Sequence, residues 1–121
     1  MKFTREVPAL ITVRSVSERE IRIGEMTYRS TIALTSDTVF DAWPDTPVAG
    51  LAKEDFADLL VTEPEVIVLG TGNTVVFPPR ELVIAMARGG IGLESMDTRA
   101  AARTFNVLAG EGRRVAAVLY L

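Results

Sequence analysis

Glu65-Val66-Ile67-Val68-Leu69-Gly70-Thr71-Gly72-Asn73 is an unbroken apolar run closed by two glycines and an asparagine. A strand with one wet face alternates apolar and polar residues; a run with no alternation is the pattern of a central strand covered on both faces. Covering both faces takes helices, and the flanking sequence supplies them. Pro78-Pro79 opens a helix carrying Leu82, Val83 and Met86, with Glu81 near its positive end and Gly89-Gly90 at its stop. Ile91 to Met96 is strand-like. Asp97 or Thr98 then caps a helix to about Ala109, whose apolar stripe is Ala101, Phe105 and Leu108. Arg114 to Leu121 is a last strand, placed inside the sheet by its apolar character. Strand and helix alternate through this half, which implies a partly parallel sheet with helices packed on it. Thr74 to Phe77 also reads as a short strand.

Towards the N-terminus the pattern changes. Leu10 to Val16, Ile21 to Ile23, Met26 to Arg29, Ile32 to Leu34 and Val39-Phe40 are short extended segments, with a turn signal at Gly24-Glu25. They predict an N-terminal β meander or pair of hairpins. Trp43-Pro44-Asp45-Thr46-Pro47 ends that regularity, because two prolines in four residues disfavour helix and ladder alike. A helix is expected next, with Leu51, Phe56, Leu59 and Leu60 on one side and Lys53, Glu54, Asp55 and Asp58 mostly on the other, stopped by Pro64. No repeat, low-complexity tract or linker interrupts the 121 residues, so residues 1–121 are expected to form one domain.

Composition narrows the chemistry. The chain has no cysteine and no histidine. That removes thiol nucleophiles, disulfides and Cys-based metal sites, and with them the Ser-His-Asp triad and imidazole acid–base work. No Asp-rich loop suggests a hard-cation site, and no residue pattern implies a cofactor. The net charge is −3 without any Lys/Arg run, so nucleic acid is not an expected partner. Eleven of the thirteen basic residues are arginine, either a codon preference or a set of bidentate anion ligands. Met1 to Pro8 lacks the apolar core of a signal peptide, and no apolar stretch approaches the ~20 residues of a membrane helix. The cytoplasm is the expected location.

Two features are candidates for binding. Gly70, Thr71, Gly72 and Asn73 follow a buried strand as a phosphate loop would, but Val75 stands three residues after Gly72 and no Gly-Lys-Ser/Thr occurs. The loop is therefore either a tight turn or a surface for a partner or small anion. The second feature is the helix beginning at Thr98, where Arg99, Arg103 and Asn106 share a face. Arg103 is either solvated, paired with Glu94 or Glu111, or a ligand-binding group. Both features follow strand ends and are expected to flank one crevice in a doubly wound half. Glu94 and Asp97 read as helix-start acids rather than a catalytic pair, and Trp43 as either a core plug or an interface anchor.

Val66-Ile67-Val68-Leu69-Gly70-Thr71-Gly72, Gly92-Leu93-Glu94-Ser95-Met96-Asp97-Thr98 and the continuation Ala100 to Leu108, ending in Glu111-Gly112-Arg113, resemble a known family. It is the small domain-of-unknown-function family that includes the mitochondrial complex I assembly factor and the adipogenesis-associated domain proteins. The resemblance implies a three-layer α/β fold with a central mixed sheet, one strand antiparallel to the rest, and no established enzyme activity. The residues and the resemblance together predict a non-enzymatic protein-binding or assembly-type module using Gly70, Thr71, Gly72, Asn73, Thr98, Arg103 and Asn106. The alternative is a small anionic ligand, or an enzyme acting on one, in the same crevice. Self-association through the C-terminal strand is a third reading.

Overall fold

The structure is a computed structural model that describes residues 10–121; Met1 to Pro8, read above for targeting, lies outside the described residues. Its centre is a five-stranded sheet. Val66–Gly70 (β6), Gly92–Met96 (β7) and Val115–Leu119 (β8) are its parallel strands, in the spatial order β8-β6-β7. Ile32–Thr35 (β4) pairs antiparallel to the far side of β8, and Val39–Phe40 (β5) pairs antiparallel to β4 at the edge. The order is therefore β5-β4-β8-β6-β7, with β4 the one strand that runs against the other four.

All five residues of β6 and all five of β8 are buried, which explains the absence of alternation in both. The pleat still sorts them. Val66, Val68, Ala117 and Leu119 face a core with Ala101, Ala102, Phe105 and Ala109 from the helix Thr98–Gly110 (α3). Ile67, Leu69, Ala116 and Val118 face a second core with Leu82 and Met86 from the helix Arg80–Arg88 (α2), joined by Leu51, Phe56 and Leu59. One sheet between two apolar layers is the three-layer α/β architecture. The small alanines of β8 and α3 let helix and strand approach closely.

Val13–Val16 (β1), Ile21–Ile23 (β2) and Met26–Tyr28 (β3) form a separate three-stranded meander. Its apolar face (Val13, Ile21, Ile23) joins the core under α3. The meander is shorter than the sequence suggests. Its period-two pattern runs on through Ile32 and Phe40, but Ile32–Thr35 is buried at all four positions and so belongs to the main sheet.

Three further segments differ from the sequence reading. The stretch after Pro47 forms two 3-10 turns, Val48–Gly50 and Lys53–Phe56, and only one turn of α-helix, Ala57–Leu60 (α1). Thr74 to Phe77 is not a strand. Both edges of β6 are already taken by β7 and β8, and the Thr71 side chain folds the segment into a loop. Finally, β8 lies in the sheet interior between β4 and β6, so it offers no edge for pairing with a second copy. Among the described residues no helix is long and apolar enough to cross a membrane.

Candidate functional site

The three parallel strands end on the same side of the sheet, and their continuations meet there. A crevice of about 500 Å³ is lined by Gly72 and Asn73 after β6, by Asp97, Thr98 and Arg99 after β7, and by Tyr120 and Leu121 after β8. Val16, Ser17 and Glu18 of the meander close its outer side. It lies outside the carboxyl ends of the strands where the chain order reverses, since β6 has β7 on one side and β8 on the other.

What holds these ends together is Thr98, only 3% exposed. Its hydroxyl donates to the Tyr120 carbonyl at 2.6 Å and accepts from the Gly72 N–H at 2.7 Å, while its own N–H donates to the Gly72 carbonyl at 2.9 Å. One side chain thus laces the first turn of α3 to the ends of β6 and β8. The Asp97 carboxylate caps α3 by accepting from the Ala100 N–H at 2.9 Å. Thr71, also buried, turns its hydroxyl back on its own loop: it donates to the Thr74 carbonyl at 2.6 Å and accepts from the Val76 N–H at 2.9 Å. Gly72 has a φ of +97°, a conformation that side chains rarely adopt. Gly70 is needed for a different reason, because a Cβ there would stand 2.9 Å from the Thr98 Cα.

Arg103 and Asn106 do not line this crevice. They line an adjoining groove of about 430 Å³ between α3 and β1, together with Val13, Arg14, Ser15, Val16, Arg99 and Ala102. Only Val16 and Arg99 belong to both. The sequence-predicted residues therefore divide. Gly72, Asn73 and Thr98 meet at the strand ends, Arg103 and Asn106 lie beside β1, and Arg99 links the two. Gly70 and Thr71 support the loop from below.

Asn106 has a definite structural task. Its carboxamide accepts from the Val13 N–H and donates to the Val13 carbonyl, both at 2.9 Å. A carboxamide presents the same donor and acceptor as a peptide group, so Asn106 acts as a one-residue neighbour strand for β1. Replacing Asn106 with alanine should cost about 1–2 kcal/mol in urea denaturation and lower the exchange protection of the Val13 amide. Unchanged protection there would show that the meander is held by its apolar face alone.

Arg103 is exposed and pairs with neither Glu94 nor Glu111; the ion pairs among the described residues are Arg29–Glu20 and Arg113–Glu65. The Arg113 guanidinium, bonded at 2.8 Å, holds the exposed Glu65 carboxyl below its ordinary range. Trp43 is a plug rather than an exposed anchor. It is half-buried, sets its ring edge-on to Phe56 with centroids 5.3 Å apart, and donates to the Tyr120 hydroxyl at 3.3 Å. That hydroxyl donates in turn to the Thr46 carbonyl at 2.6 Å. Burial pushes the Tyr120 phenol above its ordinary value, partly offset by the Trp43 hydrogen bond.

Two elements escaped the sequence reading. Arg14 joins the groove from β1, which nothing short of the meander's packing on α3 would reveal. The loop after Asn73 exposes Val75, Val76 and Phe77, the last at 74%. Their β-branched and aromatic side chains suggest a strand; their real distinction is being apolar and uncovered.

The family model described as "Protein of unknown function (DUF498/DUF598)" matches residues 13–120. A protein of Francisella tularensis subsp. holarctica, the "13 kDa major membrane protein", is 30% identical over 82% of this chain and 80% of its own length. The "NADH dehydrogenase (ubiquinone) 1 alpha subcomplex assembly factor 3" of Rattus norvegicus is 32% identical over 94% of this chain. The match spans 62% of that factor's length. Among solved structures, a Xanthomonas campestris protein determined by NMR is 36% identical with a TM-score of 0.85, covering 99% of this chain and 92% of its own. A Bartonella henselae "outer membrane protein" is 30% identical with a TM-score of 0.79, covering 95% and 98%.

Proposed function

The chain belongs to the DUF498/DUF598 family, and from that premise we propose that it is a non-enzymatic, assembly-type module that docks a protein partner around the crevice at the strand ends. The observation that carries this reading is how the crevice spends its polar groups. A site for turnover keeps buried donors, acceptors or titratable groups free to meet a substrate. Here the Thr98 hydroxyl in the crevice, the Thr71 hydroxyl in the loop beside it and the Asn106 carboxamide in the adjoining groove are all occupied within the protein. The loop that follows Asn73 is apolar and exposed from Val75 to Phe77, the kind of surface that a protein partner covers. The mammalian relative named as an assembly factor supports the same direction.

An affinity capture from host cells tests it, comparing the intact protein with Phe77→Asp and Asn73→Arg variants first checked to be folded. Both positions are exposed, so neither substitution should unfold the chain. A partner held by the parent and lost by both variants is the expected result. Identical binding by all three overturns the proposed surface. The alternative, a small anionic ligand in the crevice, predicts a thermal shift with anionic metabolites: ligand at 100 times its dissociation constant stabilises by roughly 2.7 kcal/mol. We also propose the cytoplasm as the place of action. Two relatives carry membrane in their names, so fractionation of host cells is the direct check.

A further inference from the structure

We propose that the groove between β1 and α3, framed by Arg14, Arg99 and Arg103, is the channel in which an acidic, extended segment of the protein partner lies. This rests on the docking reading above and names the chemistry of what docks. Among the described residues the groove holds three guanidinium groups and no carboxylate, in a chain that carries sixteen acidic residues against thirteen basic ones. Its positive character is therefore local and set against the overall charge. None of the three arginines makes an ion pair among the described residues, and all three are exposed. Arg14 only reaches the Gly24 carbonyl, at 3.3 Å. The first nine residues are not an acidic segment, with Lys2 and Arg5 against the single Glu6.

The spacing favours a polypeptide over a single small anion. Arg99 and Arg103 stand one helical turn apart on α3, so their Cβ atoms are roughly 5–6 Å apart. Alternate side chains of an extended peptide recur at roughly 6.6 Å, a close match to that pair. Arg14 lines the groove from β1. A single phosphate or carboxylate would need the three cations, or a buried donor, to converge on one point. The groove instead lies open along α3, and its one half-buried amide is spent on Val13. Its floor is apolar, with Val13 and Ala102 buried. Nucleic acid fits less well, because no aromatic side chain among the described residues lines the groove for base stacking, and the overall charge of −3 repels a long polyanion. The Asn106 carboxamide also occupies the outer edge of β1 at Val13, so the segment is held by its side chains there and not by strand addition.

The test is fluorescence anisotropy with a dye-labelled peptide alternating glutamate and serine. It is titrated with the parent, an Arg99→Glu/Arg103→Glu variant, and an Arg80→Glu/Arg88→Glu variant on α2 that changes the net charge equally. The expected result is binding by the parent that weakens with added salt, about tenfold or more weakening in the groove variant, and about twofold or less in the α2 variant. No binding by the parent, or equal weakening in both variants, overturns the proposal. It is also overturned if inorganic phosphate competes on equal terms with the peptide, or if a single-stranded oligonucleotide binds more tightly with the same dependence on the groove arginines. The host-cell capture keeps the two readings apart. A partner lost on Phe77→Asp but retained on Arg99→Glu/Arg103→Glu leaves the docking module standing and sinks the acidic segment. A partner indifferent to both sinks both.

Discussion

Thr98→Val should be among the most damaging single-atom changes available in this protein, lowering stability by about 2–4 kcal/mol. Valine keeps the shape and the burial, so no cavity forms. What disappears is the oxygen that accepts from the Gly72 N–H and donates to the Tyr120 carbonyl, leaving a donor and an acceptor without partners. Each orphaned group costs about 1–3 kcal/mol when water cannot replace the partner. At 3% exposure there is little room for water to do so. Thr98→Ser keeps the oxygen and removes only a methyl, so it should cost about 1 kcal/mol. For a chain of this size each kcal/mol is worth roughly 4 °C in Tm, so the two variants separate clearly in thermal melts. If valine and serine destabilise equally, the hydrogen bonds contribute nothing net and the lacing of the strand ends is only geometric.

Gly70→Ala should destabilise by a comparable amount, about 2–3 kcal/mol, for a steric reason. The added Cβ would lie 2.9 Å from the Thr98 Cα and 3.0 Å from the Ala101 Cβ. Neither neighbour is the flexible end of a side chain; relief requires α3 to move off β6. That movement would stretch the two Thr98 bonds, so the substitutions should not add. The double variant Gly70→Ala/Thr98→Val should lose clearly less than the sum of the single losses in urea denaturation. Strict additivity would mean that α3 accommodates the methyl without disturbing its first turn, and close helix packing would then no longer account for glycine at this position.

These two residues also show how far the sequence could be read. Glu65 to Asn73 was legible because an unbroken apolar run ending in glycine fits little besides a strand covered on both faces, and the two helices that follow were marked by Pro78-Pro79 and by the Asp97 cap. The parallel strands, α2, α3 and the Asp97 cap follow from local pattern. The position of β4 does not. Ile32 to Thr35 looks like one more meander strand until the pairing with β8 is known, and pairing across more than eighty residues leaves no local trace. Thr74 to Phe77 misleads for the opposite reason: β-branched and aromatic residues suggest a strand, but both edges of β6 are taken and Thr71 turns the chain away.

The candidate site was legible by residue and not by role. Thr98 and Gly72 do meet, as expected of loops following adjacent strand ends. Asn106, chosen for sharing a helix face with Arg103, turned out to face a strand ninety-three residues earlier. Helical periodicity gives a face but not what the face meets, and Arg14 stayed invisible for the same reason.

The interior position of β8 bears on how the protein is made. A ribosome releases β4 and β6 well before residues 115–119, yet those two strands are joined in the finished sheet only by hydrogen bonds to the strand that arrives last of the five. Until then each presents an open apolar edge to its surroundings, the arrangement most prone to pairing with the wrong chain. Synthesis of this protein therefore passes through an interval in which the sheet lacks its middle strand. Slow codons between residues 70 and 115 would lengthen that interval and should reduce soluble yield without altering a single residue of the product.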